Sequence, residues 1–224
     1  EELKISYDDV SRAQFDLDGK IIKSANLFFL GGGINVSKNR NKYAGFFEIQ
    51  PKPIEKIDIK IAGRFEEFEN DSSFDPKISF KYIASENLTL RASRSSSFSM
   101  PSMAQMFSSD INLGSVRDFD GNSPFVRQAQ IGNPNLKPAT SKNLNIGLIF
   151  ENQKHRLSID YWNIDYKNRI EAQSAQVILN TDPNGPSITR NSNGDLIGVT
   201  TTYFNEESTE VSGVDLSFNR VLAS

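Results

Sequence analysis

No cysteine occurs in the 224 residues, and histidine appears once, at His155. Without thiols the chain forms no disulfide, no thiolate nucleophile and no cysteine-based metal site, and one imidazole makes neither a His-rich metal centre nor a Ser-His-Asp triad. Long hydrophobic runs are missing too. Hydrophobic residues amount to 37% with a mean hydropathy of -0.45, and no stretch approaches the roughly 18 apolar residues of a membrane helix. That excludes a helical membrane protein but not a membrane β-barrel, whose strands need about 9–11 residues with only alternate ones facing lipid. Charge of one sign is also lacking. The 25 Lys and Arg are scattered among 28 Asp and Glu, for a net charge of -3, so no basic field draws a nucleic-acid backbone and nucleic acid is not an expected partner.

What is present is alternation. Tyr43, Gly45, Phe47 and Ile49 share one face, and Pro51-Lys52-Pro53 then breaks the pairing. Ile57, Ile59, Ile61 and Phe65 oppose Asp58, Lys60, Arg64 and Glu66. Ile78, Phe80 and Tyr82 oppose Lys77, Ser79 and Lys81, and after a turn at Ser85-Glu86-Asn87, Leu88, Leu90 and Ala92 oppose Thr89, Arg91 and Ser93. Leu144, Ile146, Leu148 and Phe150 precede a turn at Asn152-Gln153-Lys154, and Val214, Leu216 and Phe218 form a final strand. Between them, His155 to Ile170 changes phase: Leu157, Ile159 and Tyr161 share one face, Trp162, Ile164 and Tyr166 the other. A bulge near Tyr161-Trp162 would reconcile the two. The first 42 residues are less regular, with alternation at Leu3, Ile5 and Tyr7, an apolar run from Ile21 to Leu30 and a polar stretch from Gly31 to Lys42, expected as one strand end plus a long loop.

The connections differ in length. Short turns are expected near 51–55, 85–87 and 152–154, and longer loops near 31–42, 70–75, 98–141 and 172–206, alternating from Tyr43 onward. Sorting of loop lengths by side is the mark of a barrel wall in a membrane, with long extracellular loops and short periplasmic turns. The fold class expected is therefore all-β, an antiparallel transmembrane β-barrel segment of about seven or eight strands. The stretch from Phe98 to Ser141 is roughly 40 residues without period 2, and such a loop is functional or disordered. Within it, Pro101 to Phe107 fits a short helix capped by Ser99.

Several residues carry possible chemistry. The inward row Asp58, Lys60, Arg64, Glu66, Lys81 and Arg91 could contact another part of the protein, but a water-filled lumen demands polar inward residues in any case, and solvated charge is the reading taken. Glu66-Glu67 and Glu206-Glu207 are sequence neighbours whose side chains diverge or lie at a loop edge, so no acid-base dyad, and hence no enzyme, is expected. Asp118-Phe119-Asp120-Gly121-Asn122 opens like a calcium loop but has no Glu where such a loop needs one, which leaves turn chemistry and no expected metal or cofactor. Arg117, Phe119, Phe125 and Arg127 mix cations with exposed aromatics in the long loop. Packing accounts for such a mixture, and so does a ligand-binding role, for which these four are the candidates.

Four segments resemble the barrel domain of TonB-dependent outer-membrane receptors. Ser85 to Phe107, with Phe98 and Pro101, looks like the family's strand-then-loop block that commonly carries Phe-Arg-Ala-Pro. Gly132-Asn133-Pro134-Asn135-Leu136-Lys137-Pro138 is similar to its Gly-Asn-Pro-Asn-Leu-Lys-Pro-Glu block. Tyr161 to Ile170 resembles the next strand, and Val211-Ser212-Gly213-Val214-Asp215 the Gly-Val-Glu opening after that. Ser99-Met100 stands where Arg-Ala is common, Ala139 and Asp215 where Glu is common, which weakens any inherited role for a loop arginine. The family's barrel has about 22 strands around a plugged lumen.

The resemblance implies part of an outer-membrane active-transport receptor of a Gram-negative cell, importing a scarce bulky nutrient such as an iron chelate (siderophore uptake), a cobalamin or an oligosaccharide. The partners implied are the lipid bilayer, the receptor's own plug domain, a TonB-type periplasmic adaptor and a small-molecule ligand. The chain opens on Glu1-Glu2-Leu3 and stops at Leu222-Ala223-Ser224, and is expected to be an interior fragment of that barrel, residues 1–224, without plug or C-terminal strands. The alternative is a soluble extracellular β-sandwich that binds glycans.

Overall fold

The computed structural model describes residues 1–7, 14–15, 21–23, 32–69 and 71–220. In chain order these form β1 (Glu2–Ile5), β2 (Gln14–Phe15), β3 (Ile21–Lys23), β4 (Gly32–Gly33), β5 (Val36–Asn39), β6 (Lys42–Ile49), β7 (Ile57–Phe68), β8 (Ser72–Ser85) and β9 (Leu88–Ser99). Next come α1 (Met103–Phe107), β10 (Ser109–Ser115), β11 (Phe125–Ile131), β12 (Ala139–Glu151), β13 (His155–Ala172), α2 (Ala175–Thr181), β14 (Ile188–Arg190) and β15 (Leu196–Arg220). Two units result: residues 1–40, 101–137 and 170–205 in the first, and residues 41–100, 138–169 and 206–224 in the second.

The second unit is a seven-stranded antiparallel sheet in the order β6-β7-β8-β9-β12-β13-β15. Its register joins the period-2 patterns into rows. Ile49 faces Ile61, Ile61 faces Ile78, Phe80 faces Ala92, Ala92 faces Ile146, and Ile146 faces Tyr161. One face of all seven strands is therefore apolar. It is also uncovered: Ile61 is 41% exposed, Ile78 52%, Ile146 51% and Leu216 70%. The opposite face is charged and internally paired. Lys60 bridges Glu48 at 2.8 Å, Lys42 and Arg64 converge on Glu66, and the Arg91 guanidinium donates to both carboxylate oxygens of Asp160 at 2.8 and 2.6 Å.

Several expectations change. The short turns fall where expected, but β7 ends at Phe68 and β8 begins at Ser72, so no long loop lies near 70–75 and long and short connections do not alternate there. Ser72 and Ser73 of the polar string are held in the sheet because Phe65 pairs with Phe74 and the ladder runs on to Glu67↔Ser72. No bulge marks Tyr161-Trp162, for the β12–β13 register is unbroken from Thr140↔Lys167 to Glu151↔Arg156. Trp162 instead lies on the polar face, its ring close over the Cα of Gly213. The left-handed residue of β13 is Asn168, with φ 54°. Residues 32–42 are not a loop either, since β5 pairs with β1 and β4 with β10. Of the apolar run Ile21–Leu30, residues 24–30 lie outside the described residues, as do Gly31, Asn70 and residues 221–224.

The first unit is built from what the sequence presents as loops. Residues 109–131 form the β10–β11 hairpin, and β11 then runs parallel to β15 from Arg127↔Gly198 to Ile131↔Thr202, the one parallel pairing among the described residues. Ser99 does not cap α1; it ends β9 opposite Ala139. Ser102 caps it, its Oγ accepting from the Gln105 amide at 3.1 Å while its own amide donates to Gln105 Oε1 at 2.9 Å.

The Gly132–Pro138 segment ties this unit together. The Gly132 amide donates to the Ser108 carbonyl at 2.7 Å and the Asn133 amide to the Gln105 carbonyl at 2.9 Å. The Asn133 side chain donates to the Tyr203 carbonyl, and Lys137 exchanges two hydrogen bonds with the Asn205 amide group. Glycine is required at 132 because a Cβ there would stand 2.7 Å from the Ser108 carbonyl oxygen and 2.8 Å from the Met106 backbone. Gly132→Ala must move α1 away from this segment and is expected to cost about 1–3 kcal/mol. Amide hydrogen exchange of residues 101–137 would show it as lost protection, with the seven-stranded sheet unaffected.

Candidate functional site

The hairpin β10–β11 and the strands β14 and β15 form a small sheet whose inner side needs a cover, and α2 supplies it. Ala175 and Leu179, one turn apart, are buried with Val116, Val126, Leu196 and Val199, and Ile178 and Ile188 pack at the edge. Sequence reading missed α2, taking 172–206 as an open loop. Its signal was present as Ser174 at the cap and the apolar spacing 175, 178, 179, overshadowed by the turn-forming residues that follow.

The Asp118–Asn122 sequence and the segment Asn191–Asp195 are both spent on turns. In the β10–β11 connection the Asp118 amide donates to the Asn122 carbonyl, the Gly121 amide to the Asp118 carbonyl, and the Asp120 carboxylate accepts from Asn122 at 2.9 and 2.7 Å. In the β14–β15 connection Asn191 Oδ1 accepts from the amides of Asn193 and Asp195. Gly121 and Gly194 sit at φ 87° and 88°, where side chains are strained.

A buried ion pair locks the two turns together. Arg190 donates to both Asp118 oxygens, at 2.7 and 2.8 Å, and also to the carbonyls of Pro183 and Gly194. The Phe119 ring lies 4.9 Å from its guanidinium carbon. The side chains of Arg190 and Asp118 are 15% and 6% exposed. The hydrogen bonds from Arg190 are the main reason that the Asp118 carboxyl is held below the usual carboxylate range, and Asp118 raises the Arg190 guanidinium in turn. Elsewhere in this unit, Tyr7 Oη donates to Asp110 at 2.8 Å; burial first, and Asp110 second, push its hydroxyl up to about 12.

Beside this lock is a cavity of about 570 Å³ lined by Arg117, Phe119, Gln176, Leu179, Asn180 and Pro183 and by Asp118, whose carboxylate is already held by Arg190. Gln176 shapes it, its amide group bonding the Arg117 amide (2.8 Å) and carbonyl (2.9 Å) in the manner of a strand neighbour and also donating to Asn180. Of the four candidates, Arg117 and Phe119 meet at this cavity. Phe125 opens β11 opposite Ser115, and Arg127 pairs with Leu113 and Gly198; neither lines the cavity. Phe119 and Phe125 are 72% and 78% exposed. The arrangement presents a cation, an aromatic face and two amides on a rigid base, which suits a flat polar or anionic ligand.

A family model described as TonB dependent receptor-like, beta-barrel, matches residues 6–222. Among solved structures, the siderophore receptor PirA from Acinetobacter baumannii is 19% identical with a TM-score of 0.58, over 80% of this chain and 25% of that one. A mutant of the ferric enterobactin receptor PfeA from Pseudomonas aeruginosa, in complex with enterobactin, is 18% identical with a TM-score of 0.60, over 88% and 25%. A double mutant of the Serratia marcescens hemophore receptor HasR, with its hemophore HasA and heme, is 14% identical with a TM-score of 0.56, over 83% and 32%. The chain thus spans about a quarter to a third of the structures it resembles, and no curated protein matches it.

The ion pair gives a pH prediction. A carboxyl whose folded pKa is depressed contributes stability that is present above its unfolded pKa and lost as pH falls through the folded one. Near-ultraviolet circular dichroism should show the aromatic environment of the loops persisting below the ordinary carboxylate range. Asp118→Asn should abolish this acid transition and, by leaving Arg190 buried without its partner, cost about 3–5 kcal/mol.

Proposed function

The chain belongs to the TonB-dependent receptor β-barrel family, and on that premise we propose that it forms part of the wall and folded extracellular loops of a Gram-negative outer-membrane receptor importing a scarce, bulky nutrient. The observation that carries the proposal is the uncovered apolar face running through seven strands, backed by a charged, internally paired face. Hydrocarbon is the environment that such a face requires, and water in a wide lumen accounts for the other. A glycan-binding β-sandwich would bury Ile57, Ile59 and Ile61 against a second sheet.

Chemistry and likeness together support one class of cargo. PirA is a siderophore receptor and PfeA a ferric enterobactin receptor, which supports an iron chelate ahead of a cobalamin or an oligosaccharide. Arg117 and Phe119, at the cavity, contact this cargo, and Phe125 and Arg127, on the same hairpin but outside the cavity, are further proposed contacts. The rest of the receptor supplies a plug domain within the barrel, and energy reaches it from the inner membrane through a TonB-type periplasmic adaptor. The protein moves its ligand and does not transform it.

The intact gene product should stay folded only in detergent or lipid; a folded monomer in plain buffer overturns the membrane reading. Ile61→Lys and Ile146→Lys should each cost about 2–4 kcal/mol of folding stability in vesicles, against little for Ser79→Lys on the polar face. Joint replacement of Arg117 and Phe119 by Ala should weaken binding of the ferric chelate by about tenfold or more, roughly 1.4 kcal/mol. Unchanged affinity in that variant and in the Arg117/Arg127 double variant would remove the ligand role.

A further inference from the structure

The cavity beside the Asp118–Arg190 lock is one-sided in its hydrogen bonding. Gln176 Oε1 accepts from the Arg117 amide at 2.8 Å, and Gln176 Nε2 donates to the Arg117 carbonyl at 2.9 Å. A backbone amide can only donate and a carbonyl can only accept, so these two bonds fix which way round the Gln176 side chain lies. The other hydrogen of Nε2 goes to Asn180 Oδ1, also at 2.9 Å. That bond orients Asn180 in turn. Its oxygen is engaged, and its Nδ2 holds no partner among the described residues.

The other side-chain acceptors of the lining belong to Asp118, and they are engaged as well. Its Oδ1 accepts from Arg190 and from the Phe119 amide, and its Oδ2 accepts from Arg190. Asp120 and Asp182, next in sequence to lining residues, do not line the cavity, and Asp120 is taken up by Asn122. The Arg117 guanidinium, by contrast, holds no partner among the described residues. What the side chains leave open to the cavity is therefore donors alone, one of them charged.

A sugar hydroxyl both donates and accepts and would find only half of its partners here, and a neutral chelate leaves the guanidinium charge unanswered. An oxyanion only accepts, and a guanidinium fork beside an oriented amide N–H meets it with charge-assisted hydrogen bonds. We infer that Arg117 and Asn180 form an oxyanion subsite, that Gln176 orients it, and that it selects a negatively charged iron chelate over a neutral one. Asn180 is a ligand contact, whereas Gln176, whose amide group is spent on Arg117 and Asn180, is a positioning residue. The inference rests on the cargo reading above.

The test is calorimetric titration of the full-length receptor in detergent with the ferric chelates of a tricatecholate and of citrate, both anionic, and of a neutral trihydroxamate. At least one anionic chelate should bind about tenfold or more tighter than the trihydroxamate, and which of them does so tells an aryl oxide from a carboxylate. Asn180→Asp, which puts an acceptor in place of the donor with little change of shape, should remove about tenfold of that preference. Asn193→Asp, the same charge change outside the lining, should leave it intact. Gln176→Met should lower the preference too, and Asn180→Ala added to Gln176→Met should lower it no further, because an amide that nothing orients directs no donor. Equal binding of anionic and neutral chelates, a preference kept in Asn180→Asp or lost equally in Asn193→Asp, or additive losses in the Gln176 and Asn180 variants overturns the inference and leaves the cargo reading in place. A receptor that binds none of these chelates overturns the cargo reading, and the inference falls with it.

Discussion

Backbone hydrogen bonding between neighbouring strands is the constraint on which the rest of this chain depends. Every amide and carbonyl of an interior strand finds its partner in the ladder, so the side chains are free to meet an environment that offers no hydrogen bonds at all. Ile61, Ile78 and Ile146 can therefore stay uncovered on one face while Arg91 and Asp160 pair on the other. Low mean hydropathy and a membrane belt are compatible for that reason: half of each strand carries the apolar surface, and the other half pulls the average down.

The two units solve different problems with the same strands. In the second, stability comes from long, regular registers with few buried side chains. In the first, short strands close over a real core of Val116, Val126, Leu179, Leu196 and Val199, and the polar groups that remain are paired with one another. Arg190 makes the point: it satisfies Asp118, two carbonyls and an aromatic face at once, so turns distant in sequence become a single rigid body. A ligand surface carried on such a base loses little conformational entropy on binding.

Gly132, Asn133 and Lys137 explain in physical terms why a motif can stand out before any coordinates are known. The first two make contacts that depend on residue type, a backbone approach closed to any Cβ and a side-chain amide reaching the Tyr203 carbonyl, whereas the paired exchange with Asn205 runs through the backbone of Lys137. Residues chosen by such local geometry are legible as a pattern. The lock between Asp118 and Arg190 was not, since 72 residues separate the partners and each looks like ordinary turn chemistry in isolation. Among the candidate ligand residues, the loop and its character were legible, whereas the division that sets Arg117 and Phe119 at the cavity and leaves Phe125 and Arg127 outside it was not.

By itself the sequence determined the two faces of the wall strands other than β13, the position of the tight turns at 51–55, 85–87 and 152–154, and the exclusion of helical spans, because period 2 and turn residues act over a few neighbours. Tertiary structure alone decided that β8 begins at Ser72, that Trp162 turns to the polar side over Gly213, that β11 runs parallel to β15, and that α2 covers a core made from apparent loops. Those outcomes depend on which strands become neighbours, and pairing between distant segments is set by the free energy of the whole ladder rather than by any window of the chain.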